Sequence, residues 1–206
     1  MKKTLLPLLL MSLALQCSAG WPAQPRNGDI IFHQSVSSQG KELELATGSR
    51  YTHMGIIYIK NGKQYVYEAV QPVRLTPLSS FIKRGRNGHY IIKRLKNADS
   101  LLKGNNLRKM KQVGNTFKGK NYDIYFKWDD TRIYCSELVW KVYKRALGIE
   151  LAPLERFSDF NLDNPMVKKL VRKRYGNRKL PMDEPVISPV GIFNSRLLVT
   201  VAQSGN

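Results

Sequence analysis

Three side chains in this 206-residue sequence have the types and arrangement of an acyl-transfer site: the thiol of Cys135, the imidazole of His53 and the carboxylate of Glu68. A thiol attacks carbonyl carbon well only as the thiolate, and an imidazole oriented by a third group supplies the base. Cys135 stands at the start of a run in which Leu138, Val139, Val142 and Ala146 recur at helical steps before Gly148. The spacing predicts an amphipathic helix whose first turn carries the sulfur. Free backbone N–H groups and the positive end of the helix dipole favour an anionic sulfur there, and the same N–H groups suit an oxyanion.

His53 and Glu68 are joined by a hairpin. Met54 to Ile59 and Gln64 to Val70 are β-branched and aromatic runs around Asn61-Gly62, the pair that a type I′ turn prefers because both central residues take positive φ. With that loop Lys60 faces Lys63, His53 lies opposite Val70 and Gly55 opposite Glu68. His53 and Glu68 are then diagonal neighbours on one face, with Gly55 leaving the space between them open. Each part alone has a plain structural reading, a core thiol or a hydrogen-bonding strand histidine. The combination points to a nucleophile, a base and an orienter. Cys135, His33, His53 and His89 are also zinc-ligand types, but no pair has short ligand spacing, so neither a metal nor another cofactor is expected.

The remaining elements form one framework. A strand is expected from Gly28 to Phe32, a short helix around Leu43 to Ala46 ending near Gly48, and a strand from His89 to Leu95. A helix is expected from about Ser100 to Phe117, a basic helix from Asn164 to Tyr175, and a last strand from Arg196 to Ala202. His33 and His89 read as strand-end residues without a role. No repeat or linker divides the chain.

Lys2 and Lys3, the apolar stretch from Leu5 to Leu15 and the small residues Ser18, Ala19 and Gly20 have the layout of a secretory signal peptide over 1–19. Cleavage after Ala19 is expected ahead of lipidation at Cys17, because Gln16 stands where a lipobox wants a small residue. Residues 20–206 then form one domain, and Cys135 is the mature chain's only thiol, so no intramolecular disulfide is possible. Loss of Lys2 and Lys3 takes the balance from 34 basic against 15 acidic residues to 32 against 15, a formal +17. Such a surface favours anionic lipid head groups or acidic cell-wall polymers, and nucleic acid is not expected in an exported protein.

The ordered segments Gly28-Asp29-Ile30-Ile31-Phe32, Tyr51-Thr52-His53-Met54-Gly55, Tyr67-Glu68-Ala69 and Tyr134-Cys135-Ser136-Glu137-Leu138-Val139 resemble the permuted NlpC/P60 papain-like proteins, in particular their YiiX-type branch. The resemblance also covers Gly119 to Asp123 and Asn164-Pro165, and the order His53 before Cys135 matches the permuted branch. It implies an α+β, papain-like fold with a central antiparallel sheet packed against the cysteine helix. It also implies a Cys135–His53–Glu68 triad, with Tyr122 matching a tyrosine near the thiol and Tyr134 beside it as a second substrate-proximal residue. Tyr134 stands where cell-wall members usually carry aspartate, and Glu137 replaces a small residue. The implied protein is a periplasmic thiol hydrolase working through an acyl-enzyme, either an amidase or peptidase, or a lipid-acyl hydrolase or acyltransferase. The competing expectation is a non-catalytic basic binder of anionic lipid or wall polymer, using Lys168, Lys169, Arg172, Lys173 and Arg174.

Overall fold

The computed structural model describes residues 24–204, so the signal reading of 1–19, including Cys17, lies outside the described residues. The chain starts with β1 (Ile30–Ser35), α1 (Ser38–Thr47) and the hairpin strands β2 (His53–Lys60) and β3 (Lys63–Glu68). Next come β4 (Arg74–Pro77), α2 (Leu78–Lys83), β5 (Gly85–Leu95), α3 (Ala98–Leu101) and α4 (Gly104–Asn115). The cysteine helix α5 (Cys135–Leu147) is followed by β6 (Glu155–Arg156), α6 (Pro165–Tyr175), β7 (Pro185–Val186), α7 (Pro189–Phe193) and β8 (Leu198–Gln203).

Six strands form one antiparallel sheet in the order β4-β3-β2-β1-β5-β8. The hairpin has the expected register, from Lys60 opposite Lys63 to Ile56 opposite Tyr67. Asn61 at φ 51° and Gly62 at φ 72° supply the two left-handed turn positions. Alternation along the strands divides the core. Ile30, Phe32, Met54, Ile56 and Tyr67 pack with Leu138, Val139 and Val142 of α5, while Ile31, Ile57 and Val66 pack with Phe81 of α2 on the other face. α5 therefore lies on the sheet as expected. Its apolar positions recur at three- and four-residue steps, and Gly148 ends it in the left-handed region at φ 73°.

Asp29 is fully buried, and both its oxygens are held by Arg94, at 2.7 Å from Nε and 2.7 Å from Nη2. The Gly28-Asp29 segment is thus a fastener between β1 and β5. Tyr143 of α5 adds a hydrogen bond to the Gly28 carbonyl.

Two local expectations are corrected. The single helix from Ser100 to Phe117 is two helices, broken at Leu102 and Lys103, where Gly104 adopts φ 51° and an α-helix cannot continue through it. The first strand begins at Ile30 and runs on to Ser35, and β5 begins at Gly85, so His33 and His89 both lie inside strands and neither is a strand-end residue.

Candidate active site

His53 is the first residue of β2 and Glu68 the last of β3, so the hairpin brings both to the same end of the sheet. Both share the face that carries Phe81, whose ring lies 5.6 Å from the His53 ring at an interplanar angle of 26°. His53 Nε2 is 2.6 Å from Glu68 Oε2, the diagonal contact that the register requires. Gly55 makes that contact possible. A Cβ there would sit 2.5 Å from Val66 Cγ1, 2.7 Å from the Tyr67 carbonyl oxygen and 3.2 Å from Glu68 Cβ.

Glu68 is fully buried and receives a second partner, because Arg84 Nη2 donates to its Oε1. Burial pushes the carboxyl up, but the hydrogen bond and charge of His53, with Arg84 behind them, bring it down to about 2. On His53 burial is again the largest influence and disfavours the imidazolium. Hydrogen bonds to Cys135 and Glu68 and the charges on both outweigh it, so the ring is raised to about 9. With Nε2 engaged by Glu68, Nδ1 is the nitrogen left to meet the thiol.

Cys135 is the N-terminal residue of α5, and no side chain caps the free N–H groups of that turn. The residues just before it are braced. Ile133 bridges to Tyr122, the Glu137 carboxylate reaches back to the Tyr134 N–H at 3.4 Å, and the Ser136 hydroxyl donates to the Ile187 carbonyl at 2.6 Å. The thiol therefore sits on a rigid helix tip with unused backbone donors beside it.

Tyr122 lies at the same place. Its hydroxyl accepts from Gln39 Nε2 at 2.9 Å, which leaves its own proton free. Burial, reinforced by the Cys135 charge, holds that phenol well above its ordinary pKa, so it remains a donor. Tyr134 borders the same cavity as Cys135, and its hydroxyl accepts the Ile187 N–H at 3.1 Å. It thus serves as a fixed wall.

Two residues of the site carried no sequence signal. Arg84 lies 16 positions beyond Glu68, just after α2, and only the packing of α2 on β3 and β4 brings it back. His33 is 2 % exposed, with its ring 5.2 Å from His53 and 4.5 Å from Phe81, and neither ring nitrogen has a hydrogen-bond partner. Burial first, and the His53 charge second, lower it to about 3, so it stays neutral beside the imidazolium. The basic cluster also needs correction. Lys168, Lys169, Arg172 and Lys173 are exposed on α6, but Arg174 turns inward to Gln39 Oε1 at 2.9 Å and the Ile124 carbonyl at 2.8 Å.

The family described as permuted papain-like amidase enzyme, YaeF/YiiX, C92 family, matches residues 24–201. Protein YiiX of Escherichia coli strain K12, described as uncharacterized, is 42 % identical over 197 residues, covering 95 % of each chain. A crystal structure described as that of the metalloprotein yiiX from Escherichia coli O157:H7 superposes with a TM-score of 0.83 at 41 % identity, covering 90 % of this chain and 100 % of that one. The YiiX-type likeness read from the motifs is thereby shown, under the papain-like amidase name and not the NlpC/P60 one. With its antiparallel sheet backed by a helix that starts at a cysteine, this chain belongs to the permuted papain-like amidases of the YaeF/YiiX type.

Proposed function

We propose that this protein is an exported thiol amidase in which Cys135 is the nucleophile, His53 the acid and base, and Glu68 the residue that orients the ring. The observation that carries the reading is the largely enclosed His53 ring, fixed by Glu68 at 2.6 Å and raised to about 9 next to the only cysteine among the described residues. Cys135 Sγ attacks the amide carbonyl carbon, and the oxyanion receives the first-turn N–H groups of α5 and the Tyr122 hydroxyl. As the C–N bond breaks, the His53 imidazolium gives its proton to the departing amine, leaving a thioester on Cys135. Water then adds with His53 as base, the thiolate leaves, and the acid and the free enzyme result. An amine or hydroxyl acceptor in place of water would make the same site an acyltransferase.

One relative is described as a metalloprotein. Among the described residues no three His, Cys, Asp or Glu side chains converge as metal ligands. His53 Nε2 is held by Glu68, whose other oxygen is held by Arg84, so these donors do not fit a metal and no step is routed through one.

The layout of residues 1–19 supports periplasmic delivery, where wall peptides and lipid amides are both available. The exposed cations of α6 favour docking on an anionic surface, and they are the one observation behind the second reading, a basic binder without turnover. Release of a chromogenic amine from a panel of acyl amides separates the two. Under the amidase reading turnover disappears in Cys135→Ala, and hydroxylamine intercepts the acyl group as a hydroxamate. Turnover that persists in Cys135→Ala would overturn it, as would salt-sensitive surface binding without turnover of any substrate.

A further inference from the structure

Glu68 is fully buried, and each of its two oxygens has its own partner. His53 Nε2 lies at Oε2, and Arg84 Nη2 donates to Oε1. The last torsion of a glutamate is broad, so the side chain's own rotamer does not fix the plane of the carboxylate. Held at one oxygen that plane can turn; held at both it cannot. A buried carboxylate bonded at one oxygen would also leave the other desolvated without compensation.

Arg84 is built into this position. It caps the C-terminus of α2, its backbone N–H bonded to the Phe81 and Ile82 carbonyls, and its Cζ lies 5.6 Å from the centre of the Phe81 ring that stacks on His53. Among the described residues Glu68 is the one side chain to which the guanidinium donates, and Nε has no partner. The other groups around the pair do not duplicate it. Arg74 stands opposite Glu68 across β3 and β4 but is exposed and makes no ion pair with it. His33, opposite His53 across β1 and β2, is held neutral by its burial and has no hydrogen-bond partner, and the group that α5 presents to His53 is Cys135.

The charges oppose one another. Glu68 draws a proton onto His53, and a permanent cation at the far oxygen of Glu68 draws against it. Amide cleavage needs both, because the imidazolium must form and must then give its proton to the departing amine. Resting on the thiol amidase reading above, we propose that Arg84 is a positioning residue of this site: it fixes the Glu68 carboxylate from the oxygen that His53 does not use, and it keeps the His53 proton transferable. Its removal therefore acts on His53 in the opposite direction to neutralising Glu68, whereas a residue that only holds the fold together would expose the ring and let it fall toward its ordinary value.

The test is an NMR titration of His53 joined to acylation of Cys135 by p-nitrophenyl acetate and by phenyl acetate, read by intact mass. In Arg84→Gln the His53 midpoint is expected at least about half a unit above its native place, and Arg84→Lys, which keeps the cation, is expected to bring it most of the way back. Nitrophenolate leaves without a proton and phenolate, of a phenol with pKa about 10, does not, so Arg84→Gln should slow phenyl acetate at least about threefold more than p-nitrophenyl acetate. The exposed Arg74→Gln should move neither reading. An unchanged or lowered His53 midpoint in Arg84→Gln would overturn the proposal, as would equal slowing of the two esters or an equal rise in Arg74→Gln. If Arg84→Gln does not fold, the native protein decides: the Arg84 guanidinium signals, assigned by their loss in Arg84→Lys, should shift with the His53 titration, and signals indifferent to it would overturn the contact's role. All of these leave the thiol reading standing. No thioester from either ester, with slow His53-independent alkylation of Cys135, would overturn that reading and this inference with it.

Discussion

Replacing Glu68 by glutamine keeps the shape of the orienting side chain and removes its charge. In the native protein His53 is raised from 6.5 to about 9 against the pull of burial, a preference for the imidazolium of about 3 kcal/mol at 1.36 kcal/mol per unit. The folded form binds that proton more tightly than the unfolded chain. Its contribution to stability is therefore fully present below pH 6.5 and is lost as pH rises through about 9. From the other side of the same contact, Glu68 is lowered from 4.5 to about 2, so its contribution is present above pH 4.5 and is lost as pH falls toward 2. These describe one pair and are not added. Glutamine removes the Glu68 charge and weakens its hydrogen bond while the burial remains, so in Glu68→Gln His53 should titrate at least about one unit lower, and acylation of Cys135 should slow about 10²-fold or more. The assay is an NMR titration of labelled imidazoles, which the chain's three histidines make assignable, alongside burst kinetics. A His53 that still titrates near 9 in Glu68→Gln would refute the orienting role.

Three further outcomes follow from the geometry. Gly55→Ala pushes a methyl against Val66, the Tyr67 carbonyl and Glu68 Cβ, so thermal unfolding should show a loss of about 1–3 kcal/mol, together with a slower Cys135. An undiminished melting temperature with unchanged thiol reactivity would contradict that packing. Tyr122→Phe removes the hydroxyl proposed to donate to the oxyanion, so kcat should fall about 10²-fold while simple alkylation of Cys135, which develops no oxyanion, changes far less; equal losses in both would assign Tyr122 a different role. Removing the outer charges of α6 together, as Lys168→Ala, Lys169→Ala, Arg172→Ala and Lys173→Ala, should weaken sedimentation with phosphatidylglycerol vesicles at least tenfold and flatten its salt dependence. Unaltered binding would place the docking face elsewhere.

The His53–Glu68 pair was legible because its geometry is local. Asn61-Gly62 fixes one turn, the turn fixes the register, and a two-residue side-chain period then puts His53 and Glu68 on one face across Gly55. The helix that presents Cys135 was equally plain from Leu138, Val139 and Val142 and the stop at Gly148. Nonlocal packing hid the rest. Arg84 and Phe81 reach the pair through α2, a helix of six residues with too few turns to show a period, and His33 meets His53 only because β1 pairs with β2 at that position. The apolar cavity beside Cys135 is the extreme case. Val167, Leu170 and Val171 announce an apolar face on α6, but that this face lines a cavity and does not close on α1 depends on residues more than a hundred positions away. Arg174 was misplaced for the same reason, since its position on a basic helix says nothing of the Gln39 amide waiting beneath it.

The central claim is that Cys135 is activated by His53, and the pH dependence of Cys135 alkylation by iodoacetamide, in the native protein and in His53→Ala, tests it most directly. The account predicts rapid modification at neutral pH in the native protein, with a second inflection near the His53 titration at about 9, and modification at least tenfold slower in His53→Ala. Slow modification at the same rate in both proteins would mean an inert helix-tip thiol and would contradict the account.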